Sequence, residues 1–115
     1  MTAPPGLELL DQMAITYNRL KYARIICLEQ EKPEEAAELE KRGRELSQQL
    51  DRLLAEDLRT WGDSAAELTA DVMQANRELQ AHVAEMEKSM EDAERFAKAL
   101  ACVDHVIEVT SKLLP

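Results

Sequence analysis

The sequence contains few of the residues that build thick globular cores and β-sheets. Only 3 % of its 115 residues are aromatic, and it has three glycines and four prolines. Aromatic side chains supply much of the buried volume of most globular cores, and glycine and proline form the tight turns that join strands. A chain poor in these residues but rich in Ala, Leu, Glu, Lys and Arg is typical of a helical bundle or coiled coil. The composition therefore predicts an all-α fold in one domain.

Long apolar runs and abundant cysteines are also lacking. No stretch approaches the roughly 18 apolar residues that a membrane-spanning helix needs, and the N-terminal sequence has neither the basic nor the apolar region of a signal peptide. The two cysteines, Cys27 and Cys102, lie in apolar helical stretches, where reduced thiols pack as small hydrophobic groups. We therefore expect a soluble, cytoplasmic protein.

Positive charge is scarce as well. The chain carries 14 basic and 23 acidic side chains, which gives a formal net charge of −9. An acidic surface repels phosphate backbones, so we expect no nucleic-acid partner. The one local basic cluster comprises Arg19, Lys21 and Arg24, and we interpret it as part of a solvated helix face.

The clearest positive signal is a heptad repeat in the C-terminal half. Every seventh residue is apolar over about fifty residues, and the companion series offset by three is apolar at four of its seven positions. The first series comprises Ala65, Val72, Leu79, Met86, Ala93, Leu100, Ile107 and Leu114. Trp61 and Gly62 precede this series and mark the end of the preceding helix. Ser64 and Glu67 match a capping box, which indicates the start of a new helix. The pattern predicts one long helix over residues 64–114.

Two further helices are predicted before this boundary, over about residues 7–32 and 33–59, after a disordered lead at residues 1–6. The apolar stripe of the first helix is widened by Ile25 and Leu28, which favours contact with two or more helices. In the second helix, Gly43 lies on the buried stripe, which indicates a close neighbour. Pro33 either kinks a continuing helix or opens a new one after a reversal. The fold is therefore a long antiparallel hairpin or a three-helix bundle with coiled-coil packing.

Neither arrangement covers the whole heptad stripe within one chain, so we expect a homodimer or another protein partner. The residues predicted to mediate self-association lie on the C-terminal helix: Leu79, Met86, Leu100, Val103 and Ile107. The residues predicted to form the layer that covers them are Leu9, Met13, Leu20, Leu39 and Leu46. Trp61 either covers the open end of the bundle or anchors a partner, because exposed tryptophans often dominate binding surfaces.

The sequence contains little that indicates catalysis or cofactor binding. His82, Met86 and Met90 lie at successive steps of four residues, so a ladder of metal or haem ligands is one interpretation, and core packing with a polar spacer is the other. Cys102 and His105 lie one turn apart, but zinc needs four ligands and no second pair is spaced to supply them. We expect no catalytic residue, no metal and no cofactor.

The function predicted from these patterns is that of a non-enzymatic helical scaffold, adaptor or chaperone-like module that binds proteins through apolar heptad surfaces. Adjacent Trp61 and Gly62 at a turn between helices make the chain resemble the WXG100 family of small secreted helical hairpins, although that family's motif is Trp-x-Gly. The resemblance implies a secreted two-helix hairpin as an alternative. A metal- or cofactor-binding bundle, based on His82, is the second alternative.

Overall fold

A computed structural model describes residues 5–56 and 61–114, which contain four α-helices and no strand. The helices are α1 (Pro5–Glu29), α2 (Pro33–Leu54), α3 (Gly62–Lys88) and α4 (Ala93–Ser111). The predicted all-α class is confirmed. The predicted disordered lead at residues 1–6 falls mostly outside the described residues, and α1 already begins at Pro5.

The four helices form a closed bundle with extents of 44 × 22 × 21 Å. The first helix, α1, packs against both α2 and α3. The last helix, α4, also packs against α3 and α2. Side-chain pairs show that α1 and α3 run parallel, since Thr16 contacts Asn76 near the middle of both helices and Tyr22 contacts Glu87 closer to their C-terminal ends. Each helix therefore has two neighbours and one face turned to solvent.

Pro33 follows a true reversal of the chain. The residue in the left-handed region is Glu31, with φ of 58°, and the backbone N–H groups of Lys32 and Glu31 donate to the carbonyls of Cys27 and Leu28, at 2.8 and 3.2 Å. These two bonds form a Schellman motif, which normally uses glycine at the left-handed position. Pro33 then opens α2 at its first position. The kinked alternative, and with it the long two-helix hairpin, is wrong.

The prediction of one helix over residues 64–114 is also wrong, because α3 ends at Lys88 and α4 begins at Ala93. The turn between them is held by Gln30, which directly follows α1: its side-chain amide donates to the carbonyl of Met86 at 2.6 Å, and its side-chain oxygen accepts from the N–H of Met90 at 2.8 Å. Asp92 then caps α4 by accepting from the N–H of Glu94 at 3.0 Å. Heptad spacing indicates which residues are buried. In this chain the buried positions keep the same spacing across the turn between α3 and α4, so the spacing does not reveal the turn. The start also differs, since α3 begins at Gly62 with no side-chain cap.

The core runs the length of the bundle in two neighbouring clusters, which fits a chain with few aromatic residues. One surrounds Leu20, Leu79 and Met86, and the other surrounds Met13, Val72 and Val106. The five residues predicted to form the covering layer are all buried: Leu9, Met13, Leu20, Leu39 and Leu46.

Candidate interaction surfaces

The residues predicted to mediate self-association lie inside this single chain. Leu79, Met86 and Val103 are buried, and Leu100 and Ile107 are partly buried against the core. Trp61 is buried in the second cluster. The reversal at residues 89–92 lets α4 cover α3, which is the role expected of a second copy. Leu79, Met86, Val103 and Trp61 can therefore contact a partner only if the bundle opens, whereas Leu100 and Ile107 keep part of their surface exposed.

The buried polar side chains pair with one another. The Thr16 hydroxyl donates to Oδ1 of Asn76 at 2.6 Å, and Nδ2 of Asn76 donates to both oxygens of Gln12 at 3.0 Å. Between α2 and α4, Gln49 donates to the Thr110 hydroxyl and to the Ile107 carbonyl. No buried side-chain polar atom of the described residues lacks a partner. These groups therefore fix which helices pack together, and they leave no buried polar atom aimed at a ligand.

The α3–α4 groove, of about 490 Å³, contains the residues of the metal hypotheses. His82, Cys102 and His105 line it, but Met86 and Met90 are buried in the core, so the His-Met-Met ladder does not face one open site. Within residues 5–56 and 61–114, no group of three His, Cys, Asp or Glu side chains is arranged to hold a metal ion.

His82 has a structural partner instead. Its Nδ1 lies 3.0 Å from Nη1 of Arg95, and because arginine can only donate, the ring nitrogen accepts. Burial, followed by the positive charges of Arg95 and Lys98, lowers the pKa of His82. Burial and the charge of Glu78 raise the pKa of the Cys102 thiol. Both shifts favour the uncharged side chain, and a thiol that loses its proton less readily is poorly suited to nucleophilic chemistry.

Three of the large exposed apolar side chains lie near one another on the C-terminal half of α1. Tyr22, Ile25 and Leu28 are 46, 48 and 49 % exposed, and because residues three apart are neighbours on a helix, they form one oblique row across its outer face. We call them the α1 patch. The sequence signal was present, because Ile25 and Leu28 widen the stripe of this helix. That breadth indicates contact with two helices, and the structure satisfies those contacts with other residues of α1.

The α1–α2 groove lies beside the α1 patch and is about 400 Å³ in volume. Its charged lining residues are Lys21, Arg24, Arg44 and Glu40, and the Arg44 guanidinium lies 3.6 Å from the Glu40 carboxylate. Gly43 forms part of the floor: a Cβ built there would lie 3.0 Å from Cδ2 of Leu20. This confirms that Gly43 makes room for a large side chain opposite, that of Leu20.

On its other side, the α1 patch is fastened to α3. The Tyr22 hydroxyl donates to the Glu87 carboxylate at 2.6 Å, a bond that raises the pKa of Tyr22 together with partial desolvation and nearby negative charge. Arg19 donates to the backbone carbonyl of Asn76 at 2.6 Å and to Gln80 at 3.1 Å. Hydrogen bonds to a carboxylate and a carbonyl therefore hold this part of α1 in place.

Comparisons with known proteins return no matching family model, no curated relative and no matching solved structure. In the part of the chain that the structure describes, no helix is long and apolar enough to cross a membrane. The function must therefore be inferred from the chemistry of the surfaces themselves.

Proposed function

We propose that this protein is a non-enzymatic helical adaptor that binds another protein through the α1 patch. The observation that carries the proposal is the clustering of Tyr22, Ile25 and Leu28, each nearly half exposed, on one helix face. Single exposed apolar residues are ordinary on protein surfaces, but a cluster with a polar rim is typical of an interaction site. Tyrosine is also among the residues that contribute most to binding energy.

The contacts that α1 makes with α2 and α3 on either side of the α1 patch favour a role as an adaptor. On one side Gly43 lets α2 approach α1 closely, and on the other Arg19 and Tyr22 bond to α3. A surface already ordered before binding loses little conformational entropy when a partner docks. The α1 patch therefore has the rigidity that an adaptor surface requires.

The other functional hypotheses gain less support. The homodimer predicted from the sequence stays a prediction. The reason for expecting it is a heptad stripe on α3 left exposed by a single chain, whereas in the structure α4 covers α3. The WXG100-like alternative requires a two-helix hairpin, and the described residues form four helices. The cofactor-binding alternative depends on ligands that the bundle buries or pairs with Arg95.

Quantitative affinity capture from native extract tests the proposal. The test variant is Ile25→Ser with Leu28→Ser, and the matched control is Leu54→Ser with Met73→Ser, which removes two exposed apolar side chains elsewhere (61 and 37 % exposed). All proteins are first shown to unfold at the same temperature. We expect the specific partner to be lost with the test variant and kept with the control. Equal capture by both variants would overturn the proposal.

A further inference from the structure

We infer that the partner segment is an acidic amphipathic helix, which lays its apolar side on the α1 patch and its carboxylates in the α1–α2 groove. This inference rests on the proposed function and adds the chemistry of the partner. It depends on the juxtaposition of an exposed apolar strip with a groove whose cations outnumber its anions.

Charge complementarity is the first argument. The groove contains three cations, Lys21, Arg24 and Arg44, and one carboxylate, Glu40, in a chain with nine more acidic than basic residues. An acidic segment is repelled by most of this surface and attracted here, whereas a basic segment would be attracted almost anywhere else. Complementary charge of this kind selects the partner and its orientation.

Shape is the second argument. The α1 patch is a row of residues at steps of three, which crosses the outer face of α1 obliquely, and Ile25 and Leu28 lie one helical turn from Lys21 and Arg24, which line the groove. An amphipathic helix presents anchors at steps of three and four residues, so it can place successive side chains along such a track. Gly43 lines the groove opposite Leu20 and has no side chain to project into it.

Two other occupants share part of this chemistry. An anionic lipid surface would also meet cations beside apolar groups, but the net charge of −9 opposes approach of the whole molecule to such a surface. A second copy could offer the acidic start of α2, at Glu34 and Glu35. Both occupants are separate outcomes of the experiment below, and either would overturn the inference.

Photo-crosslinking in native cells identifies the occupant. A benzophenone amino acid replaces Ile25, and a matched control replaces Ala101, which is exposed on α4. We expect a protein adduct from position 25 whose crosslinked segment has helical apolar spacing and net negative charge. A neutral or basic segment, a lipid adduct or a segment of the same chain would overturn the inference and leave α1 as a contact surface. If position 25 yields no more adduct than position 101, the proposed function itself fails.

Affinity measurements then test the role of the cations. A synthetic peptide with the crosslinked sequence is titrated by fluorescence anisotropy into wild type, Lys21→Glu with Arg24→Glu, and the control Arg77→Glu with Lys98→Glu. The two variants change the net charge equally, so non-specific repulsion affects both. We expect the first variant to bind at least tenfold more weakly, which corresponds to about 1.4 kcal/mol, and the control to stay within twofold of wild type. Equal weakening would show that net charge alone matters and would overturn the inference.

Discussion

The turn that separates α3 from α4 depends on a side chain from a distant part of the chain, and its contribution can be calculated. Gln30 makes two short hydrogen bonds there, to the carbonyl of Met86 at 2.6 Å and from the N–H of Met90 at 2.8 Å. Each such bond contributes about 0.5–1.5 kcal/mol to stability. We therefore expect Gln30→Ala to lower the free energy of unfolding by about 2 kcal/mol, taking the middle of the summed range.

Urea denaturation followed by circular dichroism measures this effect. For a domain of this size the dependence on urea is about 1–3 kcal/mol per molar, so the midpoint should fall by roughly 1 M in urea. The matched control is Gln48→Ala at an exposed position on α2, which should stay within about 0.5 kcal/mol of wild type. If Gln30→Ala is no less stable than the control, Gln30 does not hold the turn, and our explanation of why α3 ends at Lys88 is refuted.

Two further predictions concern the packing of α1. Gly43→Val should destabilise the bundle by about 2 kcal/mol, because overpacking costs about 1–3 kcal/mol and a Cβ at this position would lie 3.0 Å from Cδ2 of Leu20. An unchanged urea midpoint would contradict the close approach of α1 and α2. Burial, followed by the charge of Glu35, raises the pKa of the Cys27 thiol from 9.0 to about 11. The unfolded chain therefore loses this proton first as the pH rises, so stability should fall between about pH 9 and 11. The fall should be shallower in Cys27→Ala, and parallel curves for the two proteins would contradict the assignment.

Much of the fold could be predicted from local sequence patterns. The small number of aromatic residues and the heptad repeat predict the all-α class, and the apolar spacing of residues 7–54 identifies many of the positions that are buried. Gly43 on a buried stripe predicts its close neighbour. Pro33 left two alternatives open because the reversal before it uses Glu31 at a left-handed position, where glycine is the usual signal.

The number of helices could not be predicted in this way. Residues 89–92 contain neither glycine nor proline, and the apolar heptad positions continue in phase on both sides. The bonds that end α3 come from Gln30, some sixty residues earlier, so the turn is a tertiary effect. The same error moved the predicted interaction site: with one continuous helix, Leu79 and Val103 need a second copy to cover them, whereas α4 covers them in the folded chain.

The α1 patch escaped prediction for a related reason. The apolar residues of α1 outnumber those needed to contact α2 and α3, and sequence periodicity does not distinguish a buried surplus from an exposed one. Ile25 and Leu28 differ from Ile26 and Cys27 only in the direction they face, which is set by how α2 and α3 flank the helix. The basic residues beside the α1 patch form a surface feature only when α2 brings Arg44 next to Lys21 and Arg24.

Hydroxyl-radical footprinting of the free and the partner-bound protein shows whether a partner covers the α1 patch, because it reports the solvent access of individual side chains. Leu54 and Met73, exposed on α2 and α3, are internal controls in the same sample. We expect partner binding to lower the oxidation of Tyr22, Ile25 and Leu28 several-fold and to leave that of Leu54 and Met73 unchanged. Protection of the controls with no change at the α1 patch would contradict this expectation.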